Sequence, residues 1–269
     1  MSAQEPGFGP GIMSAIRKRL RQQYRRARLS VREGSVVPSG AGTGLRFHAA
    51  CDTRRDEQPP TVLVHGYKDD ATVFAPLARH LSEVGVRSYA VTLAPSDCSV
   101  PLEVLAQQLK TYISSNFAYN QRLNFVGFSL GGIVARYYMQ RMGGLERTGR
   151  FLSVATPHRG TWVAFASRLP AALQLRPNSA FLRDLNADAE RLASIRFSSM
   201  WTPLDLMIVP SFNSRFHVGA NMAVWTLQHQ GLITGRRGIG AIAKVLTSND
   251  RESPGLGRSP LDSGLMMSR

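Results

Sequence analysis

Cysteine and lysine are both scarce in this chain. Cys51 and Cys98 are the two cysteines among 269 residues, which excludes a disulfide framework and a cysteine-built metal cluster. Two buried free thiols are the expectation. Lysine is confined to Lys18, Lys68, Lys110 and Lys244, so nearly all of the basic charge is arginine. Carboxylates are also few: 18 Asp+Glu stand against 33 Lys+Arg, for a net charge of +15. A bias toward arginine that pervades the chain reads as overall composition more than as a phosphate-reading surface. Tyr24 is the single aromatic residue within the basic run and no recognition motif accompanies it, so nucleic acid is not an expected partner. No apolar stretch approaches the ~20 residues a bilayer crossing needs. The basic N-terminal run leads into SVREGSVVPSGAGTG and not into an apolar signal core, which gives a cytoplasmic expectation. There is no metal-ligand cluster, hence no metal and no cofactor is expected. Internal repeats are absent too.

What remains suits one α/β domain. The hydrophobic fraction of 43% is enough to fill a sizeable core. Residues 1–44 read as a basic, partly helical extension. Within residues 1–33, eight arginines and lysines face Glu5 and Glu33, and Ile12, Ile16, Leu20 and Tyr24 share a helical stripe over 12–28. Three readings fit that stretch. It lies on anionic lipid with the arginines at the headgroups, it is a transit sequence, or it is a solvated extension. Residues 45–248 form the globular domain, and the Ser-, Pro- and Gly-rich 249–269 reads as a mobile tail.

Across 45–248 strands and helices alternate. RFHAACD, TVLVHGY, RSYAVTL, LNFVGF, RFLSVAT, IRFSSMWT and NMAVWTL read as strands. The first helix, VFAPLARHLSEVG, places Val73, Phe74, Leu77, Ala78, Leu81 and Val84 on one face. PLEVLAQQLKTYISS, LGGIVARYYMQRMGG (buried through Ile133, Val134, Tyr137 and Tyr138) and RRGIGAIAKVLTS are further helices. The alternation predicts a mostly parallel sheet with helices on both faces.

One stretch carries chemistry. Gly127-Phe128-Ser129-Leu130-Gly131 sits between a strand and a helix, the setting in which a G-x-S-x-G sequence presents a nucleophilic serine. Ser129 is then held in a strained backbone conformation that projects its hydroxyl from the sheet. Gly127 and Gly131 are glycines because strand and helix pass too close for side chains. The helix starting at Leu130 aims its positive end at the serine.

The chain resembles bacterial lipases and esterases of the α/β-hydrolase superfamily. VLVHGY, VGFSLGGIVARYY, VATPHRGT and the late WTPLDLMIVP…HQGLI pair carry the resemblance in that order. It implies the α/β-hydrolase fold and acyl-serine chemistry. Phe128 departs from the histidine that lipases often have there, which implies tuning and not loss of activity.

A serine nucleophile needs a base, and the base an orienting carboxylate. In this fold both follow the serine in the chain, which removes His48, His65 and His80 as the base. His158 in TPHRG resembles the lipase histidine that supports the loop below the site. His217 sits in a polar loop and reads as solvent-exposed. His229, followed by Gly231, Leu232 and Ile233, resembles the lipase catalytic histidine. Among Glu146, Asp184, Asp188, Glu190 and Asp205, the resemblance favours Asp205 in TPLD as the acid. The Asp184 group reads as a solvated helix face. The oxyanion donors implied are the backbone N–H groups of Leu130 and of Tyr67 after His65-Gly66.

Residues 157–194 interrupt the sheet where such enzymes carry a cap, and the run WVAFASRLPAALQL holds Arg168 as its single charge. It reads either as a lid or acyl-pocket wall or as a helix finishing the core. The resulting expectation is a hydrolase of esters with apolar acyl chains. The alternatives are a thioesterase or acyltransferase with the same triad, or a basic membrane- or nucleic-acid-binding protein with an inert hydrolase body.

Overall fold

The computed structural model describes residues 44–47 and 58–248. The basic stretch over 12–28 with its apolar stripe, the rest of the extension to residue 43, the second half of RFHAACD with Cys51, and the tail from Asn249 lie outside the described residues.

Seven strands form one sheet: β1 (Gly44–Phe47), β2 (Thr61–Val64), β3 (Ser88–Val91), β4 (Leu123–Phe128), β5 (Thr148–Val154), β6 (Arg196–Trp201) and β7 (Ala220–Ala223). Their spatial order is β1-β3-β2-β4-β5-β6-β7. β1 runs antiparallel to β3, and every other pairing is parallel. Parallel neighbours require crossovers; α-helices supply them up to β6, and the last, from β6 to β7, carries only a 3-10 turn at Ser211–Ser214. Every residue of β4 is buried, as expected of a central strand covered on both faces.

The two faces have separate cores. Leu63, Val126, Phe128, Leu152 and Val154 point to the side covered by α1 (Ala75–Glu83), α6 (Gly231–Thr234) and α7 (Arg236–Thr247). Val62, Val64, Phe125 and Phe151 point to the other side. There α2 (Leu102–Asn116) and α3 (Leu130–Arg141) pack, joined by the short α4 (Pro170–Gln174) and α5 (Ala180–Ala187). Alternation along each strand thus fills both layers, with each fully buried Leu or Phe contributing about 1.5–3 kcal/mol.

Several expectations need correction at their edges. Val84 is 41% exposed, because α1 ends at Glu83 and the chain turns at Gly85 with φ 82°. Tyr137 is half-buried and stacks on Phe181, ring centroids 5.6 Å apart. The strand expected over NMAVWTL stops at Ala223. β7 is an edge strand with a partner on one side alone, and beyond Val224 the chain bends so that the Thr202 hydroxyl donates to Thr226 O at 2.9 Å. Cys98 is free and buried, as expected.

Residues 157–194 divide into two parts. α5 and the turn after it are tied to α3: Arg136 donates to Leu185 O (2.9 Å) and Asn186 Oδ1 (3.0 Å), and Arg141 forms an ion pair with Asp188 at 2.7 Å. That half completes the core. The earlier half leaves Trp162, Leu169 and Leu173 exposed. No helix among the described residues is long and apolar enough to cross a membrane.

Candidate active site

Ser129 lies between the last residue of β4 and the first of α3, with φ 53° and ψ −124°. A non-glycine residue pays about 1–3 kcal/mol for such a conformation. The surrounding backbone enforces it, since Ser129 N–H donates to Val154 O at 2.8 Å and Ser129 O accepts from Gly132 N–H at 3.0 Å. Serine is a favoured helix cap, yet this side chain makes no capping hydrogen bond. Its hydroxyl is therefore not consumed by the helix.

The glycines around it are steric necessities with different contacts. A Cβ on Gly127 would lie 2.6 Å from Gly132 Cα, so strand and helix do pass too close there. A Cβ on Gly131 would instead meet the carbonyl oxygens of Val64 and His65 at 2.3 Å each, at the end of β2. Gly132 is equally constrained, against the side chain of Thr156.

The loop leaving β2 comes up beside the serine. A Cβ on Gly66 would stand 3.0 Å from Ser129 Cβ and 3.2 Å from the Phe128 ring. His65 fixes this loop. Its Nε2 accepts from Leu93 N–H at 2.9 Å, so its proton sits on Nδ1, 3.0 Å from Gly66 O. Burial lowers the pKa of His65, which keeps it neutral. Lys68 N–H donates to Ser96 O at 2.8 Å, which anchors the loop to the next connection. Tyr67 follows Gly66 on this anchored loop. Leu130 is the first residue of α3, where a helix leaves its N–H uncommitted.

Asp205 and His229 meet on the far side. Asp205 Oδ2 accepts from His229 Nδ1 at 2.8 Å, and both residues are buried. Asp205 Oδ1 accepts from the N–H groups of Met207 (2.8 Å) and Ile208 (3.0 Å), which lock the carboxylate in place. With Nδ1 donating to the carboxylate, Nε2 is the imidazole's acceptor nitrogen. That Nε2 is buried and has no hydrogen-bond partner among the described residues. The imidazole packs on Phe128, the residue before Ser129, with ring centroids 4.8 Å apart. One arrangement therefore gathers Ser129, Asp205, His229 and the loop of Tyr67.

The other candidates lie elsewhere. His158 is fully buried below the sheet, where Arg136 Nη1 donates to its Nδ1 at 3.2 Å. Its Nε2–H then donates to Ser153 Oγ at 2.9 Å. Burial, with Arg136 nearby, holds its pKa well below the usual value. Arg136 donates to Gln140, His158, Asn186 and Leu185 O; desolvation, opposed by the attraction of Asp188, brings it down to about 9, leaving it charged at neutral pH. His217 is exposed near Glu190 at 3.3 Å. Asp184 and Asp188 both pair with Arg141.

Two residues at the site escaped the sequence reasoning. Gln230 Nε2 donates to Asp69 Oδ1 at 3.0 Å, joining the loop after β2 to the residue after His229. The adjacent Asp70 has an ordinary explanation, since it caps Ala71–Phe74 by accepting from Thr72 N–H. Asp69 has none from local sequence. Burial pushes it up to about 7, against the attraction of His229.

Comparisons with known proteins bear on the fold that carries this geometry. Residues 60–176 match the family model described as palmitoyl protein thioesterase. No curated protein sequence shows significant similarity to the chain. The mature form of a Bacillus licheniformis lipase superposes with a TM-score of 0.62 at 16% identity, covering 78% of this chain and 100% of that one. Lipase B of Aspergillus fumigatus gives 0.63 at 13% identity, over 80% of this chain and 56% of that one. An Exiguobacterium antarcticum esterase gives 0.54 at 14%, over 80% and 100%. The chain has the α/β-hydrolase fold.

Proposed function

We propose that this protein is a serine hydrolase that cleaves carboxylic esters of apolar acyl chains through an acyl-serine intermediate. The observation that carries the reading is a strained, uncapped Ser129 beside a buried Asp205–His229 pair at 2.8 Å. In the proposed reaction His229 Nε2 takes the hydroxyl proton as Ser129 Oγ attacks the ester carbonyl. The N–H groups of Tyr67 and Leu130 receive the oxyanion, and each such donor contributes about 10²–10³ in turnover. The imidazolium, oriented by Asp205, returns its proton to the departing alcohol. Water then attacks the acyl-serine with His229 again as base.

The apolar acyl group is supported by the surface around the site. Leu206, Phe212, Trp225 and Leu227 are 51–82% exposed on the loops after β6 and β7 that also hold Asp205 and His229. Trp162 joins them, its backbone N–H donating to Val209 O at 2.8 Å. Between 157–176 and 202–230 the one carboxylate is Asp205, against Arg159, Arg168, Arg176 and Arg215. A rim both apolar and basic suits substrate presented in an anionic lipid surface. We assign the same preference to the basic, amphipathic stretch over 12–28, and co-sedimentation with anionic vesicles measures both.

A thioester as substrate is the second reading, favoured by the family model over residues 60–176. The same acyl-serine serves either leaving group. A fluorophosphonate probe should label the wild type and not Ser129→Ala. Matched oxygen and thio esters of graded chain length should then rank the two classes. Equal labelling of both proteins would move the nucleophile elsewhere. Absent labelling with salt-sensitive binding to DNA would favour a binding protein with an inert body.

A further inference from the structure

Asp205 keeps its aim at His229 only while the loop behind it keeps its shape. That loop, 205–210, lies between the end of β6 and the turn at Ser211–Ser214. Asp205 Oδ1 accepts from the N–H groups of Met207 (2.8 Å) and Ile208 (3.0 Å), which fixes the carboxylate to its own loop. The hydroxyl of Thr161 then fixes the loop to the segment after β5. It donates to Met207 O at 2.8 Å and accepts from Val209 N–H at 2.9 Å. The next residue adds a backbone contact, Trp162 N–H donating to Val209 O at 2.8 Å.

The full bonding capacity of this hydroxyl is in use. Its one donor and two acceptor positions are matched by Met207 O, Val209 N–H and Val163 N–H, the last at 3.3 Å. The Val163 bond caps the turn Trp162–Ala166, an ordinary duty for a threonine. It is the longest of the three, and capping accounts for neither bond to the loop of the acid. Thr161 is also held from behind. Its N–H donates to Leu175 O at 2.9 Å, and Gly160 before it turns with φ 81°, where a Cβ would fall 2.6 Å from Pro177 N. Thr161 itself is buried, so bulk water is not at hand to replace its hydroxyl.

We propose that Thr161 is a positioning residue of the catalytic acid: its hydroxyl clamps the 207–209 backbone that aims Asp205 at His229. The inference rests on the hydrolase reading of Ser129, Asp205 and His229.

Without the hydroxyl, Met207 O and Val209 N–H each lose a partner, and the backbone has to shift to recover one. The N–H groups of Met207 and Ile208 belong to the same stretch, so the carboxylate they hold shifts with them. Oδ2 then loses its 2.8 Å contact with His229 Nδ1. Thr161 reaches the reaction only through Asp205, so its removal should act on turnover and not on substrate binding.

Thr161→Val keeps the branched shape and deletes the hydroxyl. Steady-state hydrolysis of a soluble short-chain ester should show kcat lowered on the order of tenfold with little change in KM, inside the roughly 10²-fold that a misplacement of about 1 Å can cost. Thr161→Ser keeps the hydroxyl and should recover most of that loss. In an Asp205→Asn background the orienting carboxylate is already gone, so Thr161→Val should cost little more. Equal fold losses in the two backgrounds would reduce Thr161 to a packing role and overturn the proposal, as would a folded Thr161→Val with wild-type kcat. Should valine at 161 prevent folding, Thr161→Cys, a weaker donor and acceptor in a similar space, carries the same comparison with the same two refuting results. Failure of the hydrolase reading is separate and shows as absent probe labelling of the wild type.

Discussion

Replacing Asp205 by asparagine isolates the orienting carboxylate from everything else it does. Asp205 has two duties: Oδ2 holds His229 Nδ1 at 2.8 Å, and Oδ1 satisfies the N–H groups of Met207 and Ile208 at 2.8 and 3.0 Å. Alanine would abolish both and leave two buried backbone donors unpaired, at about 1–3 kcal/mol each. Asparagine keeps its carbonyl for the two N–H groups and turns its NH₂ toward the imidazole. Nδ1 must then accept, and the ring proton moves to Nε2, the nitrogen that has to take the proton of Ser129. The fold survives while the base is held in the wrong tautomer. Loss of the correct tautomer lowers kcat by about 10⁴, or about 5 kcal/mol of transition-state stabilisation. Steady-state hydrolysis of a soluble short-chain ester measures the loss, and thermal denaturation checks that the variant is folded. A folded Asp205→Asn within tenfold of wild-type kcat would refute the assignment. Collapse in Asp184→Asn instead would transfer the role to α5.

Gly131→Ala should lower the melting temperature together with activity, because its Cβ would fall 2.3 Å from two backbone carbonyl oxygens that cannot rotate away. The strain is of order 1–3 kcal/mol, at the upper end since the obstacle is main chain; wild-type stability by chemical denaturation would contradict the packing described. Deleting residues 1–33 should leave turnover of a soluble ester unchanged and reduce co-sedimentation with anionic vesicles, with about 1 kcal/mol of attraction lost per surface arginine. Trp225→Ser should reduce sedimentation further, and variants that all sediment like the wild type would remove support for a lipid surface.

What the sequence determined by itself is local. Apolar runs such as TVLV and LNFVGF have to be strands buried on both faces, because no solvated face could accept them. The pentapeptide around Ser129 likewise encodes its own geometry, since Gly127 removes the side chain that would strike Gly132 five residues later. The order of strand and helix follows from periodicity, and so does the division of each strand between two cores. Chain order and resemblance narrowed the polar candidates to Asp205 and His229, residues that the fold joins by a hydrogen bond.

Tertiary structure decided the features whose partners lie far away in sequence. Asp69 and Asp70 are indistinguishable in HGYKDD; Asp70 caps a turn, while Asp69 accepts a hydrogen bond from Gln230, 161 positions later. Arg136 looks like one more basic residue on a helix until α5 closes over it and burial brings its pKa down to about 9. The run NMAVWTL has the alternation of a strand, yet at the sheet edge half its ladder is missing and it ends at Ala223. Periodicity reports which side a residue faces, but what covers that side is settled only when the distant segment arrives, and charge state and burial are settled with it.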